Sequence, residues 1–196
     1  GEYKNAGDPV PRQFLEVFAN KSYTGNSSGR LQLAKDIAGS TNTLKSRVLV
    51  NRLWGYVFGR GIVSTTDNFG RLGKKPTHPE MLDYLALDFE RNNWSIKTAL
   101  KQMVLSRTFR SGSSATVEVK ESDPENAYLS YFTPRRLDAE VIMDSVNNLA
   151  QDDFQRAVYK KVIRNQLDPF LTTFNLPIPL TTTSKRDSTN IPAQAL

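Results

Sequence analysis

LKSRVLVNRLWGYVFGRGIV, residues 44–63, is the stretch whose reading decides the fold. Leu44, Val48, Leu49 and Val57 recur at helical intervals, with Asn51 and Arg52 set among them. Val50, Leu53, Trp54, Tyr56 and Phe58 make the segment apolar on most sides. The pattern predicts a buried helix from about Thr43 to Gly59. Unsatisfied buried polar groups are costly, so Asn51 and Arg52 are expected to find partners. Gly55 lets another backbone approach, and Gly59 and Gly61 end the helix in a tight FGRG turn.

Downstream, residues 62–76 (IVSTTDNFGRLGKKP) read as a long ordered loop, the kind of segment in which binding often occurs. A third helix follows, with Thr77 as N-cap, Pro79 in its first turn and Glu80 completing a Thr-x-x-Glu capping box. Met81, Leu82, Leu85, Ala86 and Phe89 form its one apolar face, and Asn92 and Asn93 stop it. Ser95 opens a fourth helix with Ile96, Leu100, Met103 and Val104 inward. SRTFRSGSSAT is loop, and a short helix is expected after Pro124 in ESDPENAYLSYF. TPRRLDAEVIMDSVNNLA is the fifth main helix, with Leu137, Val141, Ile142, Ser145 and Leu149 on the side expected to be buried.

Upstream, residues 1–27 read as an extended lead-in around Pro9 and Pro11. Ser28 is the expected N-cap of a helix over 29–38, closed by Gly39. Beyond residue 150, AVYKKVI has the β-branched content of a short strand. LDPFLTTF suggests one helical turn, and the remainder is extended. The fold class expected is mainly α: an irregular helical domain of about five main helices, with long ordered loops and a largely extended C-terminal segment. One helical domain over 28–196, excised from a longer multidomain protein, is the expected organisation.

Composition narrows function. The chain has 196 residues and no cysteine, which removes disulfides, thiolate catalysis and thiolate metal sites. No apolar run is long enough for a transmembrane helix, so this segment is not expected to insert in a membrane. The net charge of +6 is concentrated: residues 44–110 hold twelve basic and five acidic side chains, a net of +7. That density attracts anions, although the simpler reading is that Lys45, Lys74, Lys75, Lys97 and Lys101 are solvated.

His78 is the only histidine, so no His-pair metal site or His-based triad with a second histidine can be built, and no metal is expected. At a helix start it reads either as a ligand contact or general base, or as a residue packed under the preceding loop. Asp67, the other catalytic candidate, reads as a partner for Arg52 or Arg60 or as a turn-former. Arg52, Arg60, Arg135 and Arg136 are the anion-binding candidates. For Arg135 and Arg136, an intramolecular ion-pair network with Asp138 and Glu140 is the alternative. No phosphate loop, dinucleotide fingerprint, nucleophile elbow, HExxH or EF-hand motif occurs. Nucleic acid is not an expected partner, because Trp54, Tyr56 and Phe58 sit on a helix expected to be buried, and stacking platforms must be exposed.

The combination of N-R-x-W (Asn51, Arg52, Trp54), F-G-R-G (Phe58–Gly61) and T-H-P-E (Thr77–Glu80) resembles the planctomycete-type domain of unknown function, family 1553. NNWSIKTALKQMVLSRTFR, RRLDAE and DPFLTTFNLPIP with RDSTNIPAQAL resemble its further motifs, so the likeness runs over about 28–196. Asn68 departs from it where an Asp commonly precedes Phe-Gly, and AQDDFQR is shorter than the segment expected there. The resemblance implies an extracytoplasmic setting, in the periplasm or at the cell surface, within a large exported protein that often carries a cytochrome-c-like domain. No cofactor is expected in this chain, and any haem of such a parent belongs elsewhere, because Cys-x-x-Cys-His is missing. Two functions fit: a non-catalytic helical module packing against sibling domains, or an enzyme or binding domain for an anionic extracellular substrate such as a sulfated or acidic glycan.

Overall fold

The structure, a computed structural model, describes residues 4–5, 7–18, 22–150, 155–183 and 185–195. Its helices are α1 (Arg30–Ala38), α2 (Leu44–Phe58), α3 (Pro79–Arg91), α4 (Ile96–Leu105), α5 (Val117–Ser122), α6 (Ala139–Leu149) and α7 (Pro169–Thr173). Single 3-10 turns lie at Ala157–Tyr159 and Pro192–Gln194. Among the described residues there is no strand, only isolated bridges between Gln13 and Ser22 and between Ile163 and Gln166. The protein is mainly α and irregular, as its sequence leads one to expect.

The larger core gathers around α2. Val50, Leu53, Trp54, Val57 and Phe58 pack with Ile62 and Val63, with Leu82 and Phe89 of α3, and with Ala99 and Met103 of α4. Trp54 and Phe58 lie with ring centroids 4.2 Å apart, and Phe109 meets Phe58 edge-on. A smaller core joins Ala139 and Met143 of α6 to Ala157 and Leu171.

Asn51 is the fixed point of the larger core. It is fully buried, yet its amide Nδ2 donates to Val63 O at 2.9 Å and its Oδ1 accepts from Val63 N at 2.8 Å. The side chain therefore imitates a strand partner and folds the FGRG turn back onto α2. Gly59 is left-handed at φ 84° and donates its N–H to Gly55 O, closing the helix. Ile62, thus placed, accepts both the N–H of Thr77 (3.0 Å) and its hydroxyl (3.3 Å), which fixes where α3 begins.

The caps differ from the expected ones. The chain enters α1 through Gly29, buried and left-handed at φ 78°, so Ser28 does not cap it. The C-terminal carbonyls of α1, Ala38 O and Gly39 O, are taken instead by Lys45 Nζ at 2.6 and 2.8 Å. His78, not Thr77, is the N-cap of α3, and no capping box forms because the Thr77 hydroxyl is committed to Ile62 O. Ser95 does cap α4, accepting from Thr98 N.

Three elements are displaced from their expected places. The short helix of the 116–131 stretch precedes Pro124: Thr116 caps α5, while Asp123–Leu129 is a series of turns. AVYKKVI is not a strand: Ala157–Tyr159 forms a 3-10 turn, and only Ile163 makes a bridge, an isolated one to Gln166. On α6 the buried phase is Ala139 and Met143, with Ile142 half-buried; Val141, Ser145 and Leu149 are exposed, and Leu137 lies exposed ahead of the helix. That helix is apolar on two sides, and α7 and the 157–159 turn cover only one. Ile96 and Val104 of α4 are likewise more than a third exposed, leaving Ala99 and Met103 as its buried pair. The lead-in turns back on itself, with Tyr23 N donating to Arg12 O at 2.7 Å. Within AQDDFQR, residues 151–154 lie outside the described residues.

Removing the Asn51 amide leaves both Val63 backbone groups buried and unpaired. Asn51→Ala is expected to lower unfolding free energy by about 2–4 kcal/mol, read from urea melts. A Cβ on Gly61 would sit 2.6 Å from Val63 O and 2.7 Å from Asn51 Nδ2. Gly61→Ala therefore destabilises too, and in a double-mutant cycle the pair is less than additive.

Candidate functional site

The FGRG turn, the start of α3 and the 123–129 turns converge on one cleft. Trp54, Arg60, Gly61, Ile62, Thr77, His78, Asn126, Ala127 and Leu129 line it, around about 220 Å³ of space open to solvent. The enclosed part is only about 10 Å³, room for about one water molecule, against the roughly 300–1,000 Å³ of common ligand pockets. Of the six residues singled out from sequence, Arg60 and His78 meet here.

His78 is half-buried. Its Nδ1 lies 2.9 Å from Thr77 Oγ1, and its ring meets Tyr128 edge-on, with centroids 5.7 Å apart. The single Thr77 hydroxyl proton goes to Ile62 O, so neutral His78 carries its proton on Nδ1 and donates it to Thr77. Nε2 then holds the free lone pair. A hydroxyl does not orient or charge an imidazole as a carboxylate does, and no carboxylate lines the cleft.

Arg60 closes the opposite side. Its guanidinium contacts Glu125 Oε2 at 2.7 Å and donates to Glu125 O at 3.2 Å. The 123–133 segment that presents Glu125 is held by two side chains. Asp123 accepts the N–H groups of Ala127 and Tyr128, both at 2.8 Å. Buried Asn126 accepts from Ser130 N and donates to Tyr131 O and Thr133 Oγ1. This over-determined frame carries Leu129 at φ 53°, a left-handed conformation unfavourable to leucine, and packs it on the larger core. Asn126 and Asp123 were not singled out from sequence; the Asp-Pro-Glu-Asn run is the signal, a turn-forming pair three residues apart.

The other candidates lie apart from the cleft. Asp67 is exposed on the 65–68 turn, paired with neither Arg52 nor Arg60. Arg52 is exposed and without a partner among the described residues, contrary to the expectation of burial on α2. Tyr56, four residues on, is 65% exposed as well, so this face of α2 is open and only Trp54 and Phe58 of the three rings are buried. Arg135 donates to Gly55 O and Tyr56 O at the end of α2. Arg136 turns the other way, to Thr189 O, Phe174 O, Asn175 Oδ1 and Gln194 Oε1. Neither arginine joins an ion-pair network: carbonyl and amide oxygens occupy both, while Glu140 pairs with Arg186 at 2.5 Å. No group of three or more His, Cys, Asp or Glu side chains that could hold a metal occurs among the described residues.

The N–H of Tyr128, with that of Ala127 and the nearby Arg60 charge, holds the Asp123 carboxyl below its usual range against the opposing effect of desolvation. Its native value lies below the unfolded one, so its contribution is full above about pH 3.9 and is lost as pH falls through the native value. The protection factors of the Ala127 and Tyr128 amides are expected to fall in that acid window, and Asp123→Asn to remove the pH step. A profile unchanged in Asp123→Asn would contradict this.

No curated protein and no solved structure matches the chain. A family model does: PSD1, a protein of unknown function (DUF1553), over residues 29–152. The matched range takes in α1 through α6 and the whole cleft, well over half of the chain. The chain belongs to this family of proteins of unknown function.

Proposed function

We propose that the chain is a non-catalytic helical module that packs against other domains of a larger exported protein. The observation that carries this is area. A compact monomer of 22.0 kDa exposes about 9,300 Å². This chain exposes 15,140 Å². Extended segments at both ends account for part of the excess, and uncovered apolar helix faces for more. No residue of α1 is buried, with Leu31 65% and Ile37 49% exposed, and α6 leaves Val141, Val146 and Leu149 in solvent. Faces of this kind mark association surfaces. An extracytoplasmic parent with several domains is part of the same proposal, supported by the family resemblance, and any haem would sit in another domain.

A second reading, an enzyme or binding domain for an anionic extracellular substrate such as a sulfated or acidic glycan, is favoured by one observation: Arg60 and His78 share the cleft. Against it, Glu125 already neutralises Arg60.

Hydrogen exchange over α1 and α6, measured for the isolated chain and for the intact polypeptide that carries it, tests the first reading. Amides of both helices are expected to exchange at least tenfold more slowly in the intact protein. Equal rates in a monomeric, dye-silent isolated chain would overturn it. A proton NMR titration of His78 against sulfated and acidic glycans tests the second. The expected result is no ligand-dependent shift; a shift abolished by Arg60→Ala would establish glycan binding instead.

A further inference from the structure

The 65–75 loop carries a feature used by neither reading. Two successive tight turns build it: Asn68 N donates to Thr65 O at 3.0 Å, and Gly73 N to Gly70 O at 2.9 Å. The Thr65 hydroxyl ties their bases, donating to Asn68 O at 2.8 Å and accepting from Lys74 N at 3.0 Å. Asn68 Oδ1 accepts from Gly70 N, and Phe69 anchors the loop on the larger core. A Cβ on Gly73 would lie 2.0 Å from Asn68 O, so the closure demands glycine. Arg71 and Leu72 therefore occupy the two corners of a pinned turn. Lys74 and Lys75 follow directly.

Leu72 is 91% exposed, more than any other large apolar side chain named on the surface. A single exposed leucine needs no explanation. Here it sits at the corner of a rigid turn, flanked by Arg71, Lys74 and Lys75, which are exposed and have no ion-pair partner among the described residues. Asp67, on the adjoining turn, is the one acid of the 64–78 stretch. An anionic polymer uses the cations and has no use for the leucine. An anionic lipid surface uses both, drawing the cations to its headgroups and taking the apolar corner below them. A preformed turn also lowers the ordering cost of such a contact.

We propose that the Gly70–Lys75 turn is a contact site for an anionic lipid surface, with Leu72 as the inserted side chain and Arg71, Lys74 and Lys75 as its headgroup partners. The contact is peripheral and reversible, and it is separate from the cleft and from the apolar faces of α1 and α6.

Sedimentation of the full chain with vesicles of equal phosphatidylglycerol and phosphatidylcholine, against vesicles of phosphatidylcholine alone, tests it. Partitioning is expected on the anionic vesicles only. Lys74→Gln and Lys75→Gln are each expected to weaken it about fivefold, and Leu72→Ala about tenfold. Asp67→Asn is expected to strengthen it severalfold with its circular dichroism and urea midpoint unchanged, which separates the gain from one due to misfolding. Equal partitioning on both vesicles, or on neither, would overturn the proposal. Anionic partitioning unchanged in Leu72→Ala and fully competed by heparin would also overturn it, in favour of a polyanion site.

Discussion

The two hydrogen bonds between the Asn51 side chain and the Val63 backbone hold the rest of the molecule in register. A primary amide can offer one donor and one acceptor to the C=O and N–H of a single residue, and here it does so with no solvent access. In that low-dielectric setting each bond is stronger, and each unmade one costlier, than at the surface. Gly61 leaves the room for it, since any Cβ there would collide with both partners. The consequences run outward. Ile62 and Val63 enter the core, Ile62 O takes the N–H and hydroxyl of Thr77, and the Thr77 hydroxyl sets the tautomer of His78. One buried asparagine thus determines the turn, the start of α3 and the state of the imidazole at the cleft.

The positive charge of the central segment finds two kinds of use. Some of it meets helix C-termini, whose last carbonyls lack intrahelical donors and carry partial negative charge. Lys45 takes the end of α1, and Arg135, from outside the segment, takes the end of α2. Lys45 also stands over the Trp94 ring at 5.0 Å. Arg47 and Arg60 pair with Asp83 and Glu125 at partly exposed sites, where such pairs contribute about 0.2–1 kcal/mol. Among the described residues, Arg52, Arg91, Lys97, Lys101, Arg107 and Arg110 are exposed without an ion pair. So are the three cations of the 70–75 turn, which differ in flanking an exposed leucine. A net charge therefore does not identify an anion site; the surroundings of its cations do.

Sequence reading was most secure where two independent signals coincided. α3 has one apolar face and an Asn-Asn stop, and both the face and the stop are where periodicity puts them. α2 was legible because its apolar content and its glycine turn agree, and because a buried Asn51 demands partners. Arg52 and Tyr56 were misplaced for one reason: a helix apolar on most sides has no phase that marks its solvent face. α6 fails the same way, offering two apolar stripes between which only tertiary contacts choose. Caps at Ser28 and Thr77 were illegible because tertiary acceptors and donors compete for the same groups. At the site, Arg60 and His78 lie close in sequence and were both legible as candidates. Asn126 and Asp123 were not, since their role depends on a fold-back of the 123–133 segment that no local pattern announces.

The C-terminal segment raises the question of where this folding unit stops. The family match ends at residue 152, yet two residues inside it grip the chain well beyond. Arg136 contacts four oxygens between Phe174 and Gln194, and Glu140 accepts from both terminal guanidinium nitrogens of Arg186. The Arg186 hydrogen bond holds the Glu140 carboxyl below its usual range, so this clasp is engaged above the ordinary carboxylate range and released as pH falls through the native value. Gln194 Nε2 adds a bond to Thr173 O, and Asp168 caps α7 by accepting from Phe170 N and Leu171 N. Meanwhile α6 buries its Ala139 and Met143 against Ala157 and Leu171, residues outside the matched range. Without that covering, both stripes of α6 would face water. The matched region and the segment after it are therefore energetically one structure at α6, and a fragment cut at the end of the match would expose the smaller core it is built on.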